Sequence, residues 1–218
     1  MENYFIRIVE KLFIIYFLGY FLFDLLLFLI FLFTFKKDSK ATPGLHLPKV
    51  SIIVPAYNEE VSIVNCIGML NSLNYPEFEI IIVNDGSKDD TAGVLMKEFE
   101  FTPLNFSCPN NLTTMEILSS FSSGNGKVIL INKKNGGKAD SINAGINNSS
   151  GELICTIDAD SILDKDSLRR VVVELVADER VFVAGGQIAV ANDTVIENGR
   201  VINAKMPTNV FVLWQITE

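Results

Sequence analysis

Four short clusters hold most of the side chains able to do chemistry in this 218-residue chain. Asp158-Ala159-Asp160 sets two carboxylates two residues apart. Hard cations such as Mg²⁺ and Mn²⁺ take oxygen ligands and often bind through one or two carboxylates together with phosphate oxygens. Acidic turn and cap residues give the same pattern without a metal, so the pair alone leaves both readings open. Asp85-Gly86-Ser87 joins an acceptor carboxylate to a glycine that lets a ligand approach the backbone closely. Taken alone, a plain turn with Ser87 or Asp89 capping the next helix accounts for it at least as well. Asn135-Gly136-Gly137-Lys138-Ala139-Asp140 offers backbone N–H groups at a helix start plus a lysine, which suits a phosphate. It fits neither GxGxxG nor the GxxxxGK loop, so the standard dinucleotide and P-loop readings are excluded. The fourth cluster is Pro55-Ala56-Tyr57-Asn58-Glu59-Glu60. His46, the single histidine, lies in a Pro/Gly-containing linker and is read as incidental. Asp164 and Asp166 are read as turn and helix-start residues.

Each cluster follows a short β-branched run. The pattern predicts strands at Val50–Val54, Phe78–Val83, Val128–Ile131 and Leu153–Ile157. Helices are expected over Glu60–Ser72, Asp90–Phe99, Ala139–Asn147 and Ser167–Ala177. Strands alternating with crossover helices imply an α/β fold with a mostly parallel sheet covered on both faces. Ligands of such sheets bind at the carboxyl ends of the strands, which is where all four clusters fall. Residues 101–126 lack a clear period and read as a surface insertion. Further on, Val181–Val190 reads as a strand, and Val195–Ile196 with Val201–Ile202 flank Asn198-Gly199, a hairpin signal. A helix is expected over Asn209–Glu218.

The amino-terminal segment is of another kind. The chain is 49% hydrophobic with a mean hydropathy of +0.32, and nine of its sixteen Phe lie between Phe5 and Phe35. Leu12–Phe35 is apolar apart from Gly19, Asp24, Thr34 and its tyrosines, and as a helix of about 36 Å it is long enough to cross a bilayer. No small-residue cleavage site of a signal peptide follows it. Lys36, Lys37 and Lys40 after the span, against Arg7 and Lys11 before it, place the larger domain on the cytoplasmic side of the cell (inner) membrane. Asp24 is given no role. The expected organisation is a membrane anchor over residues 1–40, a linker over 41–49 and a catalytic domain over 50–218.

Charge narrows the partners. Residues 41–218 carry 13 Lys/Arg against 22 Asp/Glu, so the basic face of a nucleic-acid-binding protein is not expected. Cys66, Cys108 and Cys155 form no CxxC pair, which argues against a zinc site or disulfide framework.

Together the ordered segments VPAYNEE, IIVNDGS, NGGKADSINAGI and TIDADS closely resemble the processive family 2 inverting glycosyltransferases with the GT-A fold. That group includes cellulose, hyaluronan and poly-N-acetylglucosamine synthases, and the likeness covers about residues 50–218. The resemblance implies a Rossmann-like GT-A domain preceded by one transmembrane helix, using a UDP-sugar donor, a glycan acceptor and Mg or Mn in exopolysaccharide synthesis. It implies that Ala56, Tyr57 and Glu59 line the nucleotide pocket and that Asp85 binds uracil. Lys138 would approach the diphosphate or base, Asp158 the ribose or donor sugar, and Asp160 would coordinate the divalent metal. The lipid bilayer is an expected partner, and a further membrane subunit is a candidate one.

Inverting transfer also needs a carboxylate to take the acceptor hydroxyl's proton. In the family that aspartate lies well downstream of the DxD pair, followed by a QxxRW-like motif and more membrane helices. Neither motif is found in the 58 residues after Asp160. The general base is therefore expected beyond residue 218, with this chain as the amino-terminal portion of a synthase. The alternative is a truncated, non-catalytic UDP-sugar-binding module. A sugar-phosphate nucleotidyltransferase is disfavoured because no glycine-rich, basic triphosphate loop follows the first strand.

Overall fold

The structure is a computed structural model that describes residues 2–34, 46–104, 112–186, 194–197 and 200–204. The chain divides into two compact units, residues 1–43 and 44–218. The first contains one helix, α1 (Glu2–Thr34), which begins ten residues before the expected span. Its stretch Ile6–Ile30 is long and apolar enough to cross a membrane, and its side chains are exposed throughout.

The second unit is built on a six-stranded sheet in the order β3-β4-β5-β2-β1-β6. Its parallel centre comprises β1 (Val50–Ala56), β2 (Phe78–Asn84), β5 (Val128–Lys133) and β6 (Leu153–Thr156). Val50 pairs with Phe78 and Leu153, and Ile80 pairs with Val128, so the four strands run in step and their carboxyl ends share one edge. β2 is buried at every position, as expected for a central parallel strand with the apolar run Ile80-Ile81-Ile82-Val83, and it buries Glu79 and Asn84 as well. One face packs against α2 (Ile63–Asn71), α3 (Thr91–Glu98) and α5 (Ser167–Ala177), with Ile52, Val54, Ile80, Ile82 and Leu130 at its centre. The other face carries Ile53, Ile81, Val83, Ile129 and Ile131 under a single helix, α4 (Lys138–Asn147). α4 lies close because Gly145 faces the sheet: a Cβ there would stand 2.5 Å from Ile53 Cγ2.

Three expectations need correction. Residues 101–126 are not merely an insertion. β3 (Phe101–Pro103) and β4 (Ile117–Ser123) extend the sheet by antiparallel pairing on β5, and the polar run Ile117-Leu118-Ser119-Ser120-Phe121-Ser122-Ser123 hid that strand. Val181–Gly186, the described part of the strand expected at Val181–Val190, has no regular structure, and Phe182 and Val183 are each 86% exposed. Strand propensity without a pairing neighbour does not make a strand. α2 starts at Ile63 rather than Glu60, because Asn58 takes a left-handed φ of 58° and residues 60–62 form a turn. The expected hairpin is present as β7 (Thr194–Glu197) paired antiparallel with β8 (Arg200–Ala204). Its Asn198-Gly199 turn and the helix expected over Asn209–Glu218 lie outside the described residues.

Candidate functional site

All four clusters reach the same edge of the sheet. Ala56 ends β1, is buried, and its carbonyl accepts the Asp85 N–H at 2.9 Å. Tyr57 is 43% exposed beyond it. The loop from Asn58 to Glu60 is then laced to the loop after β2. Asn58 N donates to Ser87 Oγ (3.0 Å), Lys88 N to Asn58 Oδ1 (2.8 Å) and Glu59 N to Thr91 Oγ1 (2.9 Å). Glu60 N donates to Asp89 Oδ2 (3.1 Å), and Asp90 N returns a bond to Glu60 Oε2 (2.9 Å). Glu59 itself accepts the Ser62 hydroxyl, within its own loop. Asp89 also accepts the Thr91 N–H at 3.1 Å, although the N-cap of α3 is Asp90, whose own side chain makes no capping bond.

Asp85 is only 4% exposed and stands on the face covered by α4. Its Oδ1 accepts Gly136 N (2.9 Å) and the Lys133 ammonium, and its Oδ2 accepts Gly137 N (2.7 Å). Asn135 Nδ2 donates to the Asp85 carbonyl at 2.8 Å. Burial would push the Asp85 carboxyl up, but the Lys133 ammonium and the two glycine N–H groups together hold it below the ordinary carboxylate range. Gly86 permits the junction: its φ is +68°, and a Cβ there would meet Asn135 N at 3.0 Å.

Lys133 is the residue that sequence reasoning missed. Its side chain is fully buried, ion-paired to both Asp85 and Asp140 Oδ1 (2.6 Å), and donates to the Lys134 carbonyl (2.8 Å). The signal was available in the alternation of β5: Ile129 and Ile131 face α4, so position 133 must face the same way, while Lys134 turns outward to Glu116.

Lys138 and Asp158, assigned to one pocket from the sequence, do meet. Lys138 Nζ lies 2.5 Å from Asp158 Oδ1, joining the first turn of α4 to the end of β6, and both side chains are more than half exposed. Asp160 is exposed as well. Beneath this loop the buried Cys66 thiol contacts the Asp158 carbonyl, and burial first, then Asp160 and Glu59, push it up to about 11. Asp158 and Asp160 supply only oxygen donors. Among the described residues no three side chains of His, Cys, Asp or Glu gather into a ready cage, so a cation here would complete its shell from other oxygens.

Comparison with known proteins agrees with this geometry. A family model described as glycosyl transferase family 2 matches residues 51–106 and 110–213. The chain is 32% identical over 151 residues to a probable glycosyltransferase of Bacillus subtilis, covering 67% of this chain and 31% of that one. It is 31% identical over 118 residues to a poly-beta-1,6-N-acetyl-D-glucosamine synthase of Staphylococcus epidermidis, covering 54% of this chain and 23% of the synthase. The chain thus spans less than a third of the length of either relative. Among solved structures, a mannosyltransferase from Pyrobaculum calidifontis, in complex with GDP-Man and Mn²⁺, superposes with a TM-score of 0.52 at 24% identity. That match covers 69% of this chain and 39% of the other and shows the shared fold. From motif order, sheet and family match together, the chain belongs to glycosyl transferase family 2 and has the GT-A type of fold.

Proposed function

We propose that residues 50–218 form the donor-binding part of a membrane-anchored, metal-dependent glycosyltransferase that moves a sugar from a UDP-sugar to a growing glycan with inversion. The single observation that carries this reading is the Lys138–Asp158 pair, which brings an ammonium and one carboxylate of the DxD pair together next to the Gly136-Gly137 loop that Asp85 holds. Tyr57 offers an exposed ring beside that rim. Ala56 and Glu59 shape the backbone beneath it, and Asp85 offers an acceptor held ionised for a base N–H. Lys138 is long and exposed enough to turn from Asp158 to a diphosphate oxygen. Asp158 would then be free for a ribose or sugar hydroxyl.

Asp160 would hold Mg²⁺ or Mn²⁺, with the remaining ligands from the diphosphate and water, as the all-oxygen donor set suits. Such a cation neutralises the charge that collects on UDP as the sugar–phosphate bond breaks. Lys138 adds a second positive charge at the same rim. The base that deprotonates the acceptor is not assigned among the described residues. The relatives' names support a polysaccharide acceptor, and α1 supports a bilayer anchor over residues 1–40 with a linker over 41–49.

Isothermal titration of the full chain in detergent with UDP, with and without Mn²⁺, tests the reading. Wild type is expected to bind UDP more tightly with the cation, and Asp160→Asn to lose that dependence. Equal Mn²⁺-dependence in Asp160→Asn would overturn the metal assignment, and no UDP binding by wild type would overturn the donor site.

A further inference from the structure

Lys133 has no place in the donor site as described, yet it is the most fully buried charged group among the described residues. Its ammonium has three protons, and three acceptors take them: an Asp85 oxygen, an Asp140 oxygen and the Lys134 carbonyl. Each acceptor comes from a different part of the rim. Asp85 follows β2, Asp140 lies in the first turn of α4, and Lys134 begins the loop after β5. The two carboxylates then fix backbone in turn. Asp85 receives the N–H groups of Gly136 and Gly137, and Asp140 receives Met115 N at 2.9 Å and 3.2 Å. At Gly136 a Cβ would stand 2.6 Å from Asp140 Oδ1 and 2.8 Å from Met115 Cγ, so any other residue would have to displace one of these side chains.

A buried ion cluster is a poor way to gain stability, because well-packed apolar side chains of similar volume usually do as well or better. Ile129 and Ile131, four and two positions earlier on the same face, take that apolar course. The ammonium supplies what an apolar residue could not: it keeps Asp85 ionised and oriented, and it fixes the loop from which Lys138 projects.

We propose that Lys133 is a positioning residue of the donor site, acting through Asp85 and Asp140 to set the acceptor carboxylate and the Gly136-Gly137 loop for the nucleotide. The inference rests on the donor reading above. Asp85 from the β2 end and Asp140 from α4 are the charged groups that face Lys133, and Lys134 is engaged outside the cluster by Glu116.

The test is UDP affinity of the full chain from pH 5 to pH 8, beside thermal unfolding, for wild type, Asp140→Asn, Lys133→Met and the double variant Lys133→Met/Asp140→Asn. The double variant removes one positive and one negative charge together, so the net charge of the cluster is unchanged and Asp85 keeps its two glycine N–H donors, while the thermal unfolding curve shows whether it folds. It is expected to unfold within a few degrees of wild type yet bind UDP about tenfold more weakly, since a charge-assisted contact has lost its geometry. Its affinity should climb with pH across this window, because Asp85 without the ammonium ionises at higher pH. Wild type should show only the slope that the terminal phosphate of UDP contributes as it ionises at about pH 6, and the double variant a steeper one. Asp140→Asn, which keeps the Lys133–Asp85 pair, is expected to lose only about threefold. A folded double variant with wild-type affinity and a pH slope no steeper than that of wild type would overturn this inference alone. Failure of wild type to bind UDP at any pH would overturn the donor reading and this inference with it.

Discussion

β2 carries a buried carboxylate at each end of the same face, Glu79 at the start and Asp85 just past the finish, and the two are solvated by opposite means. Glu79 is served by neutral groups. Its oxygens accept the Ser51 hydroxyl (2.5 Å), the Ser150 N–H (2.7 Å) and the Ser150 hydroxyl (2.8 Å), with the partly exposed Lys49 at 3.3 Å. Asp85 is served by a fully buried ammonium and two glycine N–H groups. Glu79 ties β1, β2 and the turn before β6 together at the edge opposite the clusters. Asp85 ties a loop that carries Lys138. One device closes the sheet, and the other spends a buried charge to aim a rim.

The largest effect should come from Asp85→Ala. It leaves Lys133 buried with half its counter-charge, which costs about 3 kcal/mol or more in urea unfolding, and it should abolish measurable UDP binding. Glu79→Ala strands the Ser51 hydroxyl and the Ser150 N–H, at about 2 kcal/mol, with UDP affinity unchanged within about twofold. A loss of affinity there equal to that of Asp85→Ala would break the contrast between the two ends. Gly145→Ala tests the helix that spans them. Its methyl would press on Ile53, so unfolding free energy should fall by about 1–2 kcal/mol. Lys49→Met should cost no more than about 0.5 kcal/mol, since a part-exposed ion pair contributes little.

Acidity sharpens the contrast further. Burial raises both carboxyls, but hydrogen bonds, from Ser51 and Ser150 at Glu79 and from Lys133 and the glycines at Asp85, bring both below their ordinary values. A depressed carboxyl contributes stability that is complete above its unfolded pKa and is lost as pH falls through the folded one. Unfolding free energy should therefore be level near neutrality and decline below the ordinary carboxylate range. Glu79→Gln should flatten part of that decline while leaving the pH dependence of UDP binding as in wild type.

The parallel core was legible because Val, Ile and Phe runs ending in Gly, Asn and Asp have few other uses, and α5 fell on its expected residues, Ser167–Ala177. β4 was not, since a Ser-rich strand is defined by the β3 and β5 backbones it pairs with rather than by its own hydrophobicity. Lys133 was passed over because a Lys-Lys-Asn string reads as a solvated turn until strand parity is followed one residue past Ile131. Val181–Gly186 misled in the other direction, with the right residue types and no strand pairing among the described residues. The meeting of Lys138 with Asp158 was legible as a shared pocket, but its form as a direct ion pair was not.

The lacing of residues 58–60 to residues 87–91 has a consequence for exchange between relatives. Every one of those bonds pairs a backbone amide of one loop with a side chain of the other. A segment transplanted from another family member into either loop alone would arrive without the partners that give it shape. The two must be inherited, or grafted, as a single cassette.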